Sequence, residues 1–328
     1  MVFPVTFVTG FLGAGKTTLI QQLIRAGALR DALVVVNDFG DLSIDQQILN
    51  QGDQEVIELG GGCVCCSVRD EFVTTLKTAV AAQPQMTSVW IETSGISAPS
   101  ELLAVFEANA WLTRGFRVER VVTVVECSHA LADLSERDNA IDQVVYASTL
   151  LLNRASRVTL ETLDAISERL SQLNPWAQQH RIEVTEVTMD HLGSAMDYGD
   201  HSRIQELQAK LAPCGHVHAP GEACAGHHPV SATTHGVSTH LARTTTPLRT
   251  ELFSAALEAW IVAQGDRLLR IKGVLSFDDE PVPMVLQGIR GQVSVEPLES
   301  ATWPSGESTI VAIGVNLDYE ALDAVVAS

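Results

Sequence analysis

Three cysteines, Cys63, Cys65 and Cys66, stand within four positions of one another in the stretch GGGCVCCSVRDEF (60–72). Thiols this close do not easily pair among themselves, but three thiolates can converge on one soft cation such as Zn²⁺ or Cu(I). A fourth position then stays open, so the ion can be handed on. The preceding glycines permit the tight backbone that aims neighbouring side chains at one point. A helix predicted over 67–82 places its N-terminus beside the thiols, which favours the thiolate. A redox pair and plain buried cysteines are the other readings of these residues.

A second cluster points to polyphosphate chemistry. GFLGAGKT (10–17) fits the phosphate-loop pattern G-x-x-x-x-G-K-[ST]. Gly10, Gly13, Ala14 and Gly15, with Lys16, Thr17 and Thr18, form the candidate cradle. The glycines let backbone N–H groups turn towards phosphate oxygens, and the following helix adds the positive end of its dipole. Lys16 would reach the β- and γ-phosphates, and the Thr17 hydroxyl would bind Mg²⁺. Further along, VWIETSG (89–95) ends an apolar run with Glu92. A carboxylate there can hold Mg²⁺ through water or orient the attacking water, and Gly95 could offer its N–H to the γ-phosphate. Capping the next helix is the alternative for Glu92. NDFGDLSID (37–45) brings Asp38, Asp41 and Asp45 into one loop, either a switch that meets metal and γ-phosphate or a solvated acidic loop.

These residues need a frame. Apolar runs at 3–9, 32–38, 54–58, 88–93, 118–127, 148–153 and 181–187 read as strands, the densest of them buried on both faces. Amphipathic stretches at 16–28, 67–82, 99–110 and 159–173 lie between them. Alternation of this kind predicts an α/β fold with a doubly wound, mostly parallel sheet. The expected domains are a phosphate-loop domain over 1–190, a connecting helix and His/Cys-rich linker over 191–231, and a smaller α+β domain over 232–328. The linker carries Cys214, His216, His218, Cys224, His227 and His228, with His235 and His240 close behind. Its spacing is not that of a zinc finger; it could collect metal weakly or be a plain polar connection.

The chain has 328 residues and a formal charge of −19, which disfavours nucleic acid and anionic lipid as partners. No apolar run approaches a membrane span, and the N-terminus lacks a signal-peptide pattern. Six cysteines are too few for a disulfide scaffold, so a cytoplasmic setting with cysteines as ligands is expected.

The motifs TGFLGAGKTTL (9–19), VNDFGDLSID (36–45), GGGCVCCSVRDEF (60–72) and IETSGISAP (91–99), followed by LLRIKGVL, LQG and IVAIG in the second domain, occur together and in order. In this the sequence resembles the CobW-like metallochaperone family of phosphate-loop GTPases. The resemblance implies Mg²⁺-dependent GTP hydrolysis coupled to delivery of zinc, or else cobalt or iron, to a client metalloprotein of the nitrile hydratase or zinc-enzyme type. A homodimer is left open. It assigns Lys16, Asp38 and Glu92 to catalysis, Thr17, Asp38 and Glu92 to Mg²⁺, and Cys63, Cys65 and Cys66 to the transferred ion. Asn153 and Arg154 would contact the base.

The match departs at the base. Such GTPases read guanine with Asn-Lys-x-Asp, whereas this chain has Asn153, Arg154, Ala155 and Ser156. A serine replacing the carboxylate costs roughly one or two decades of guanine affinity and leaves ATP or mixed use open. Asp38 also replaces a usual Glu, and Glu126 a common Asp.

Overall fold

Strands form at six of the seven places expected before residue 190, in a sheet whose parallel pairing follows from the helices between its strands. The computed structural model describes residues 2–36, 56–58, 68–193, 236–289, 292–298 and 306–327. It divides into two units, Met1–Ser171 with Ala177–Met196, and Gln172–Trp176 with Asp197–Ser328.

In the first unit the strands are β1 (Phe3–Thr9), β2 (Ala32–Val36), β3 (Val56–Glu58), β4 (Ser88–Glu92), β5 (Phe116–Glu126), β6 (Thr149–Asn153) and β7 (Gln178–Ile182). All their pairings are parallel, in the order β3-β2-β4-β1-β5-β6-β7. The helices are α1 (Lys16–Arg25), α2 (Val68–Ala82), α3 (Pro99–Ala108), α4 (Ala110–Gly115), α5 (Ala130–Glu136), α6 (Asp138–Val145) and α7 (Leu160–Leu173). β2 and β6 are buried at every position, as expected of strands covered on both faces. Leu19, Ile20 and Leu23 of α1 pack on one face with Val8, Val34 and Val122. An aromatic cluster forms around Phe106, which meets Phe7 edge-on at 5.4 Å and Phe116 at 6.3 Å.

Two expectations need correcting. The stretch 99–110 is not one helix. Asn109 is extended (φ −101°, ψ 112°), and its side-chain oxygen accepts from the N–H groups of Trp111 and Leu112, which ends α3 and starts α4. The strand expected over 181–187 instead spans Gln178–Ile182, and Val184–Glu186 is a 3-10 turn. Its apolar residues Val184 and Val187 are buried in the cluster that contains α1, outside the sheet ladder. The true edge strand begins with Gln178, Gln179 and His180, whose polarity hides it from a hydropathy pattern.

Register aligns the carboxyl ends of the strands. Val36, Glu92 and Val8 are neighbours in one row, and Glu126, Asn153 and Ile182 in another. β1 lies between β4 on one side and β5 on the other, so the chain departs in opposite directions around it. In open parallel sheets the ligand crevice lies at such a point, beyond the carboxyl ends.

The second unit is an antiparallel sheet of β8 (Val237–Thr244), β9 (Leu268–Leu275), β10 (Met284–Ile289), β11 (Gln292–Pro297) and β12 (Ser308–Val315), ordered β11-β10-β9-β12-β8. Helices α8 (Thr250–Gln264) and α9 (Tyr319–Ala327) bury Phe253, Leu257, Trp260, Leu322 and Val326 with Ile271, Leu286 and Ile310 of the sheet. Among the described residues no helix is long and apolar enough to cross a membrane.

Candidate functional site

The loop between β1 and α1 is shaped by backbone that only glycine tolerates. Gly10, Gly13 and Gly15 have φ of +141°, +74° and +107°. A Cβ on Gly10 would stand 2.2 Å from the carbonyl oxygen of Val124, so β5 fixes the start of the loop by direct backbone contact. A Cβ on Gly15 would press on the Asn153 amide at 3.0 Å. Ala14 is buried and Thr18 is exposed on the first turn of α1. Lys16 is buried, and its Nζ donates to the Phe11 carbonyl across the loop at 3.4 Å.

Glu92, at the end of β4, is buried and accepts a 2.7 Å hydrogen bond from the Thr17 hydroxyl. The two oxygens predicted to serve Mg²⁺ are therefore brought together from residues 75 positions apart. Hydroxyl and carboxylate are the hard donors that Mg²⁺ takes, so the pair fits that ion. The next two hydroxyls, of Thr93 and Ser94, are buried without a hydrogen-bond partner among the described residues. Buried polar atoms are normally paired, and clusters of exceptions mark places where water or ligand enters.

Gly95 lies against the phosphate loop: a Cβ there would come within 2.8 Å of the Leu12 nitrogen. Its position is held by α6. The buried Gln143 amide donates to the carbonyls of Gly95 and Ser97, both at 3.1 Å, and Asn139 donates to that of Ile96 at 2.6 Å. Asp142 accepts from the Ser100 N–H at 3.1 Å. No local motif marks Gln143, Asn139 or Asp142, because their role depends on α6 lying beside a loop some 45 residues earlier in the chain.

At the other end of the groove Asn153 is wholly buried. Its amide donates to the Ala14 carbonyl at 2.8 Å, and its oxygen accepts from Arg154 N–H at 2.9 Å and Val184 N–H at 3.1 Å. Arg154 has a left-handed backbone (φ 56°) and reaches Glu126 at 3.6 Å. Burial alone would raise the Glu126 carboxyl, but hydrogen bonds from His129 and Ser128 outweigh it and hold the group below its ordinary range. Glu126 thus stays charged opposite Arg154. The Ser156 hydroxyl donates to Glu183 at 2.8 Å. Nothing in the residue pattern singles out Glu183, which falls inside the stretch 181–187 that reads as a strand.

Asp38, Asp41, Asp45, Cys63, Cys65, Cys66 and the cluster from Cys214 to His235 lie outside the described residues. His240, which the structure does describe, stacks on Tyr319 at 4.7 Å and pairs with Asp323 at 2.8 Å. Among the described residues no group of three His, Cys, Asp or Glu side chains could hold a metal ion. Cys127 is buried, and desolvation, together with the charges of Glu126 and Glu183, pushes its thiol up to about 11.

A parallel sheet with this glycine loop at the carboxyl end of its central strand defines a phosphate-loop nucleotide-binding protein. Residues 4–181 match the CobW/HypB/UreG nucleotide-binding domain, and residues 237–328 match the cobalamin synthesis protein cobW C-terminal domain. The chain belongs to this CobW family. It is 26% identical to the zinc chaperone YjiA of Escherichia coli, over 98% of this chain and 97% of that protein. It is also 26% identical to the zinc-regulated GTPase metalloprotein activator 1 of Schizosaccharomyces pombe, over 90% of this chain and 77% of that one. The fold is similar to the crystal structure of Zn(II)-bound YjiA GTPase from E. coli, with a TM-score of 0.71 at 21% identity, covering 100% of this chain and 98% of that one.

Proposed function

We propose that this protein is a Mg²⁺-dependent GTP hydrolase that carries zinc and delivers it to a client metalloprotein. The observation that carries the nucleotide half is the 2.7 Å bond between Thr17, on the helix after the phosphate loop, and Glu92, at the end of the adjacent strand. When bound, Mg²⁺ would supply charge neutralisation at the phosphates. Lys16 would add a second positive group there, Asp38 and Glu92 would orient water or metal, and Gly95 would present its N–H. The metal half is supported by the spacing of Cys63, Cys65 and Cys66 and by relatives named as zinc chaperones. The segment carrying the three cysteines runs from β3 into α2, whose strand belongs to the sheet that carries the phosphate loop. Hydrolysis that reshaped the segment would loosen its hold on the ion.

Phosphate release from GTP, with and without Mg²⁺ and Zn²⁺, tests the hydrolase. Release that needs Mg²⁺ and disappears in Lys16→Ala is expected; none under any condition sinks the idea. Zinc titration of Cys65→Ala tests the cargo. The parent should bind zinc more tightly as pH rises and release protons on loading. A Cys65→Ala protein with the parent's zinc affinity contradicts the cargo site.

A further inference from the structure

The motif that reads guanine lacks its carboxylate, yet a carboxylate stands next to the empty place. An acid serves there because guanine presents two adjacent donors, its ring N1–H and its exocyclic amine, and a carboxylate offers only acceptors. At that position this chain has Ser156, whose hydroxyl donates to Glu183 Oε1 at 2.8 Å. Glu183 directly follows β7. The residue after it, Val184, gives its N–H to Asn153, the first residue of the same motif, and Asn153 in turn holds the phosphate loop through Ala14. The Glu183 backbone is thus tied to one end of the motif and its side chain to the other. Glu183 is half-buried, so its carboxylate is held in place yet still open to solvent. Arg154, the nearest cation of the motif, pairs with Glu126 instead. A serine hydroxyl occupies only part of the acceptor capacity of a carboxylate, which keeps about four lone-pair sites.

We propose that Glu183 is the specificity residue that reads guanine in this protein, with Ser156 as the positioning residue that holds it. Relative to Asn-Lys-x-Asp, a hydroxyl stands in the place of the acid, and the acid comes from the residue directly after the neighbouring strand β7. The proposal rests on the GTP reading above and restores to it the base selectivity that Ser156 alone would forfeit.

The test is calorimetric binding of GTP, ITP, XTP and ATP, each with Mg²⁺, to the full chain. The parent should bind GTP about tenfold more tightly than ITP, which lacks the exocyclic amine, and should bind ATP more weakly still. Glu183→Gln replaces two acceptors by one acceptor and one donor, the complement of the N1–H and C2 carbonyl of xanthine. It should lose roughly ten- to hundredfold in GTP affinity, come to prefer XTP over GTP, and keep its ATP affinity. A purely structural role would weaken all four together. Ser156→Ala should lose GTP affinity by only a few fold, because the carboxylate survives. The exchange variant S156D/E183S puts the acid back in the motif and should retain the preference for GTP over ITP. If Glu183→Gln bound GTP and XTP as the parent does, the assignment would be wrong. Should that variant not fold, a parent that binds GTP, ITP and ATP alike overturns it equally. A parent that binds no triphosphate sinks the GTP reading and this one together, whereas unchanged base preference in Glu183→Gln sinks this one alone.

Discussion

The two ends of the nucleotide groove are built by different means. At the phosphate end the cradle lies within one unbroken run, Gly10 to Thr18, to which the end of β4 and the turn after it add Glu92 and Gly95. At the base end, Ala14, Asn153, Ser156, Glu183 and Val184 come from three separate segments, and the Asn153–Ala14 bond spans 139 positions. A phosphate is held by backbone N–H groups and one cation, which a single turn can supply. A base is read by side chains that approach from its edge, so any strand end within reach can supply them. The phosphate end can therefore be specified by one local run of sequence, while the base end has to be assembled from several strand ends.

This contrast predicts its largest effect at Gly10. Gly10→Ala would drive a Cβ to 2.2 Å from the Val124 carbonyl at a φ of +141°. Overpacking and backbone strain together should cost roughly 2–5 kcal/mol of stability, measured by denaturant unfolding. Gly13→Ala meets nothing within 4 Å, and only its φ of +74° is unfavourable, so it should cost about 1–2 kcal/mol. Equal costs at the two positions would show that β5 does not set the loop.

Asn153→Ala comes next, because Asn153 joins the two ends. It removes hydrogen bonds to Ala14, Arg154 and Val184 from a buried site. At about 1 kcal/mol for each bond, the loss should be about 2–3 kcal/mol in stability. Affinity for GTP, ITP and ATP should fall together, since the loop that holds their common phosphates is released. A change in the ratio of GTP to ATP would place Asn153 with Glu183 as a reader of the base.

The same contrast explains what residue patterns alone could reveal. β1, α1 and β4 are strongly patterned, and the phosphate loop and Glu92 are legible from them. In the α+β domain expected over 232–328, β9 and β12 are likewise apolar along most of their length. Failure came where burial is one-sided or contacts are remote. β7 opens with Gln178, Gln179 and His180, so a hydropathy pattern places the strand too late and absorbs Glu183 into it. Helices α5 and α6 are short, and Gln143 acts on Gly95 across 48 positions. Asp38 and the three cysteines, the most legible metal features, lie outside the described residues, so for them the sequence pattern remains the whole basis.

The smallest expected effect concerns Cys127, beneath the base end. Its N–H donates to the Asn153 carbonyl at 3.1 Å, and its thiol is buried near the charges of Glu126 and Glu183. Desolvation, followed by those two carboxylates, raises the thiol from 9.0 to about 11. The folded state therefore keeps this proton after the unfolded chain has lost it. Its contribution to stability is complete below pH 9 and declines as pH rises from 9 through 11. The unfolding midpoint of the parent should fall across that window more steeply than that of Cys127→Ala, whatever the offset between the two at neutral pH. Glu183→Gln removes one of the charges that oppose ionisation, so it should shrink the difference in slope. An unchanged difference would mean that burial and Glu126 alone hold the proton, and that the Glu183 carboxylate is turned further from Cys127 than its bond to Ser156 implies.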